Sequence, residues 1–195
     1  MSRFQDLLSG FRGFRVVRAA FFLAFVVMAT LVPSVSADAA GQLADYLAKA
    51  QPSELIPDAS RFGPLQGDPA IAPVYKGDQL LGFAYLNSDF SNAVGYSGKP
   101  IHVLVGITTQ GVLAGFKLVD HKEPIVLIGI PEKRILDAVN KLVGTEMTPV
   151  VAGAAKAPQV DIVSGATVTV LVIGDSIVRS ATKLIKTGRI GTQGQ

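Results

Sequence analysis

No cysteine occurs among the 195 residues. That absence excludes disulfides, thiolate-bound zinc, Cys-ligated iron–sulfur clusters and CxxCH haem attachment within this chain. Any redox chemistry here therefore needs a cofactor held without thiols. Charge is also scarce, with 17% Asp, Glu, Lys and Arg against 49% hydrophobic residues. So much apolar side chain offsets the entropy of ordering, and the length suits one domain with a real core.

The net charge of +3 is not spread over the chain. Residues 1–37 hold Arg3, Arg12, Arg15 and Arg18 against Asp6, which leaves 38–195 with 14 basic and 14 acidic side chains. A nucleic-acid partner is excluded on that balance. The N-terminal arginines instead precede the apolar run Ala19–Val32, Pro33 and the small-residue ending Val35-Ser36-Ala37. This is the pattern of an export signal cleaved after Ala37, and it predicts a periplasmic body. Fourteen residues at ~1.5 Å each span about 21 Å, short of a ~30 Å hydrocarbon core. The alternative is an uncleaved anchor in the inner membrane, with Val16 and Val17 lengthening the run. No later apolar run reaches spanning length.

The rest reads as an N-terminal segment over 38–73, one domain over 74–187 and a linker or cut end over 188–195. Leu43, Tyr46, Leu47 and Ala50 predict a short helix over Gly41–Ala50. Five prolines make Gln51–Pro73 mainly irregular. Ile71–Lys76 and Gln79–Asn87 flank Gly77-Asp78, and Ile101–Thr108 and Val112–Asp120 flank Thr109-Gln110-Gly111, two hairpins. Between them, Ser88–Pro100 is a polar loop, and Thr145–Pro158 is a small-residue connection. Pro131 opens a helix carrying Ile135, Leu136, Val139, Leu142 and Val143 on one face and ending at Gly144. Gln159–Val163 reads as a short strand. A long helix over Thr167–Lys186 follows, with Val170, Leu171, Ile177, Val178, Ala181, Leu184 and Ile185 inward. The fold class is α+β, a curved, mostly antiparallel sheet with flanking helices.

The chemistry sits in Asp161-Ile162-Val163-Ser164-Gly165-Ala166-Thr167. A small-residue turn at a helix start lets an anionic group approach free N–H groups, with the Ser164 and Thr167 hydroxyls beside it. Spacing alone is more often that of an ordinary helix cap. It is not a Walker loop, because GxxxxGK[ST] is missing.

Asp161-x-x-Ser164-Gly165-Ala166-Thr167 resembles the Dxx(S/T)GAT motif of the FMN-binding domains in NosR, NqrC and RnfG. His121-Lys122-Glu123-Pro124-Ile125 through Gly129-Ile130-Pro131-Glu132, and Tyr96-Ser97-Gly98-Lys99-Pro100, resemble the NosR version. The likeness covers roughly Val74–Lys186. The Thr-Pro-Gly-Leu-Gly stretch of the ion-pumping complexes is absent, and full NosR proteins continue into membrane helices and a Cys-rich region not found in this sequence. The resemblance implies FMN joined to Thr167 through a phosphoester by a flavin transferase of the ApbE type. Ser164, Gly165 and Ala166 would form the turn, and Asp161 would serve recognition or metal-assisted positioning during attachment. By the same resemblance His121 and Glu123 line the flavin edge; as a metal pair they make a poor ligand set without cysteine. Tyr96 either stacks on the flavin ring or packs on the sheet. No catalytic or metal-ligating residue is expected, since the domain is read as an electron carrier and not a stand-alone catalyst.

The implied setting is nitrous-oxide respiration. A membrane quinol-linked donor lies on one side, and nitrous-oxide reductase or its maturation system on the other. Two alternatives remain at this stage: a flavin subunit of an RnfG/NqrC-like complex, and a periplasmic binding or sensory module without flavin.

Overall fold

The computed structural model describes residues 37–190. The expected export signal, but for Ala37, and the last five residues lie outside them. Helix α1 (Ala37–Leu47) and the short α2 (Pro52–Leu55) lead into β1 (Arg61–Phe62), β2 (Ala72–Lys76) and β3 (Gln79–Leu86). Helix α3 (Asn87–Phe90), β4 (His102–Thr108) and β5 (Leu113–Asp120) follow. Then come α4 (Pro124–Ile128), α5 (Glu132–Val139), a 3-10 turn over Asn140–Leu142, α6 (Met147–Val151) and α7 (Thr167–Lys186). The five strands form one open sheet in sequence order, every neighbour antiparallel. Among the described residues, no helix is long and apolar enough to cross a membrane.

Both hairpins form where the turn residues predict them. Lys76 pairs with Gln79 across Gly77-Asp78, and Gly77 takes a positive φ of 58°. In β4 the whole run Val103–Ile107 is buried, because helices cover both sheet faces. On one face Tyr85, Val103, Val105, Ile107 and Phe116 meet α5 and the stripe Val170, Ile173, Ile177, Ala181 and Leu184 of α7. On the other, Val74, Ala84, Leu86 and Leu104 meet Leu43, Leu47 and Leu55. That second layer is thin because Gly106 and Gly115 are cross-strand partners beneath α2. A Cβ on Gly115 would lie 2.8 Å from the Glu54 and Leu55 carbonyl oxygens, and one on Gly106 would run into Leu55 O.

Polar pins fix α7 on its face. Asn87 Nδ2 donates to Ile101 O at 3.0 Å and to Ser176 Oγ at 2.9 Å, while Val103 N donates to Asn87 Oδ1 at 2.7 Å. All of these groups are buried, so each bond replaces water that the core excludes.

Several expectations are corrected. Gln159–Val163 forms no strand: Asp161 N donates to Ala138 O on α5 at 3.4 Å, and the segment joins none of the strands of the sheet. Leu171 is 48% exposed, rotated off the buried stripe of α7. Val143 is also exposed, beyond the last turn of its helix. Gln51–Pro73 is less irregular than its prolines suggest, since Pro52 starts α2 and Arg61–Phe62 pairs with Val74–Tyr75. The connections 88–100, 121–129 and 145–158 contain α3, α4 and α6, helices too short to show a period.

Candidate functional site

Helix α7 begins at Thr167 without a side-chain cap, its N-cap being the buried Ala166. Its first helical hydrogen bond runs from Val170 N to Ala166 O at 3.0 Å. The N–H groups of Thr167, Val168 and Thr169 thus have no acceptor within the helix, and the positive end of the dipole adds to their pull on an anion. Gly165 holds φ at +85°, a conformation strained for any side chain, and this bends Val163–Ala166 into the helix. The Thr167 hydroxyl donates to Val163 O over 3.3 Å, which leaves its lone pairs open.

A cleft of about 430 Å³ opens above this helix start. Gly165–Thr169 form one wall, Pro124 and Ile125 of α4 a second, and Tyr96, 79% exposed, stands at the third. The lining is chiefly apolar with one aromatic ring, in the size range of cofactor sites. Uncapped N–H groups at the base and an apolar, aromatic wall above suit a phosphate joined to a flat ring system, so these residues fit FMN.

Glu123 lies behind the walls and is completely buried. Its Oε1 accepts from Ser97 N at 3.2 Å and Ser97 Oγ at 2.9 Å; its Oε2 accepts from Tyr96 N at 3.1 Å and Thr169 Oγ1 at 2.8 Å. Burial pushes this carboxyl up, but the hydrogen bonds from Thr169, Ser97 and Tyr96 outweigh it and hold the group below the ordinary carboxylate range. Glu123 is therefore a buried, fully solvated-by-protein anion. His121 is half-buried beside it, Nδ1 accepting from Glu123 N at 3.3 Å.

The structure brings Tyr96, Gly165, Ala166 and Thr167 together around one cleft. Ser164 is exposed and lies outside the lining, and Asp161 is exposed with Lys141 Nζ 3.6 Å from its Oδ2. Glu123 contacts the walls from behind. Among the described residues no group of three or more metal-ligating side chains converges. The sequence alone assigns no site role to Thr169, nor to Ser97 beyond its place in the stretch Tyr96–Pro100. Thr169 had a signal: with Ser176 and Ser180 it places hydroxyls on the inward side of a long helix, where each requires a buried partner.

The FMN-binding domain family matches residues 95–181, a span that contains the whole cleft and Glu123. The Regulatory protein NosR of Pseudomonas aeruginosa is 34% identical over 159 residues, 80% of this chain and 22% of that protein. The Regulatory protein NosR of Stutzerimonas stutzeri is 35% identical over 144 residues, 72% of this chain and 20% of that protein. Protein NirI of Paracoccus denitrificans is 36% identical over 121 residues, 62% and 18% respectively. The chain spans about a fifth of the length of these curated relatives.

Proposed function

We propose that this chain, which carries an FMN-binding domain of the NosR family, holds its FMN covalently at Thr167 and serves as an electron carrier in denitrification. The observation that carries this reading is the uncapped start of α7 with the Thr167 hydroxyl at the base of an apolar cleft. Bound there, FMN would accept electrons in pairs or singly, which suits a link between a quinol-type donor and a one-electron metal partner.

The residues have distinct tasks. The Thr167 oxygen would form the phosphoester bond with the FMN phosphate of a flavin dinucleotide donor: the donor's pyrophosphate P–O bond breaks, the nucleoside monophosphate leaves, and the hydroxyl proton passes to a base of the transferase. Gly165 and Ala166 keep the turn small enough for a transferase to reach that oxygen, and Ser164 stands at its exposed edge. The free N–H groups of residues 167–169 hold the phosphate. Tyr96, Pro124 and Ile125 cover the ring and exclude water from its face. Asp161, outside the cleft and exposed, serves recognition or metal-assisted positioning during attachment by a flavin transferase of the ApbE type. Residues 1–37 act as the export signal, so attachment and electron transfer occur in the periplasm. A covalent bond is of use there, because a dissociated flavin would be lost. Nitrous-oxide reductase or its maturation system is the partner in this reading.

The test is coexpression with a flavin transferase. Thr167→Val keeps the β-branched shape and costs at most about 1 kcal/mol of stability. It removes the one oxygen available at that position. The expected result is a folded, exported variant without flavin fluorescence after denaturation, beside a parent protein that retains it. Flavin persisting on denatured Thr167→Val would move the attachment elsewhere, Ser164 first; a colourless parent would favour a module without flavin.

A further inference from the structure

The donors that converge on Glu123 come from two different walls of the cleft. Tyr96 and Ser97 belong to the loop 95–99, whereas Thr169 belongs to the first turn of α7, two residues past Thr167. The loop's own hydrogen bonds do not reach α7. Val94 bridges Pro100, Gly95 N donates to Lys99 O, and Gly98 N donates to Gly95 O. These fold the loop on itself, and its hydrogen bonding to the helix runs through one carboxylate.

The arrangement demands a carboxylate. Each oxygen takes one backbone N–H and one hydroxyl. A hydroxyl can turn to accept, but a backbone N–H cannot. Glutamine in either orientation would set its amide N–H₂ against Tyr96 N or Ser97 N. The site therefore selects for charge as well as for length.

We propose that Glu123 is the positioning residue of the cofactor site: its buried carboxylate fastens the Tyr96 wall to the start of α7 and sets a fixed negative charge behind the cleft. This rests on the reading of the cleft as an FMN site. Two consequences follow from the geometry. The aromatic wall is ordered before the cofactor arrives, and negative charge gained on reduction meets an anion already in place. Both effects start from a carboxylate outside the cleft lining, and the second lowers the flavin's midpoint potential.

The experiment uses the full chain, with and without a coexpressed transferase, as parent, Glu123→Gln and Thr169→Val. Amide hydrogen exchange at Tyr96 and Ser97 is followed in flavin-free protein, and midpoint potential in flavin-loaded protein. Glu123→Gln should speed exchange by about tenfold or more at whichever of the two amides faces its N–H₂, the equivalent of one lost hydrogen bond, and shift the potential upward. Thr169→Val keeps the charge but cuts the tie to α7, so exchange should rise while the potential stays nearer the parent's. Parental exchange rates in both variants would overturn the proposal. So would a loosened loop in Glu123→Gln with the parental potential and spectrum. If Glu123→Gln does not fold, Thr169→Val decides: parental exchange rates there overturn the latch. A parent that takes up no flavin would refute the flavin reading and the positioning role with it, a failure distinguishable because the exchange arm needs no flavin.

Discussion

Two carboxyl groups with buried oxygens stand in opposite conditions. Glu123 has four donors and is held ionised, below the ordinary carboxylate range. Asp89, on α3, has a buried Oδ2 with no hydrogen-bond partner, and burial with the nearby charge of Asp68 pushes it up to about 6. Ser91 Oγ close by in sequence is buried without a partner as well. Burial alone would raise both groups. What separates them is that the cleft side supplies donors from two elements, whereas the α3 side supplies none and leaves the proton to neutralise the charge. A satisfied buried anion fixes geometry; an unsatisfied one makes stability depend on pH.

The largest expected effect comes from crowding the satisfied member of the pair. A Cβ on Gly95 would stand 2.5 Å from Glu123 Cδ and 2.8 Å from Ile101 Cδ1. Gly95→Ala must displace the carboxylate from its donors, and it should cost about 2 kcal/mol in urea unfolding. A variant as stable as the parent would show that the loop yields freely and that the contrast with Asp89 is smaller than the geometry indicates.

Removing the unsatisfied charge acts in the other direction. The folded state binds the Asp89 proton more tightly than the unfolded chain does, with pKa about 6 against 3.8. Its contribution is therefore fully present below about pH 4 and lost as the pH rises through about 6. Glu123 gives the opposite slope, contributing above its ordinary pKa and losing that as the pH falls. Asp89→Asn should flatten the decline between pH 4 and 6. Because Asp89 is only half-buried, solvent screening reduces the change to about 1 kcal/mol. An unaltered pH profile in thermal unfolding would assign the slope to another group.

The sheet and α7 were legible because their signals are local. Gly77-Asp78 and Thr109-Gln110-Gly111 specify turns, and twenty residues from Thr167 to Lys186 suffice to show a helical period. The turn that leads into α7 was legible from its small residues, with Gly165 at a positive φ. The latch was not, since Glu123, Ser97 and Thr169 lie 26 and 46 residues apart and meet only in the fold. Short helices such as α2 and α4 failed for a related reason: one turn has no period, and tertiary contacts rather than propensity hold them. Leu171 shows the limit of apolarity as a guide, being hydrophobic yet outside the stripe set by Val170, Ile173 and Ile177.

The smallest effect on stability falls on Asp161, and it separates a residue that holds the fold from one that serves the site. Its ion pair with Lys141 spans 3.6 Å between two exposed side chains. Such pairs contribute no more than about 0.5 kcal/mol, so Asp161→Asn should unfold almost where the parent does. If a transferase reads this carboxylate, the same isosteric change should lower the fraction of chains carrying covalent flavin several-fold during coexpression. Lys141→Ala breaks the same pair and leaves the carboxylate in place, so it should keep its flavin. Loss in both variants would assign the effect to the ion pair itself, and full loading in both would remove Asp161 from the attachment site. Loss in Asp161→Asn alone, at parental stability, is the result that a purely structural role for the residue does not produce.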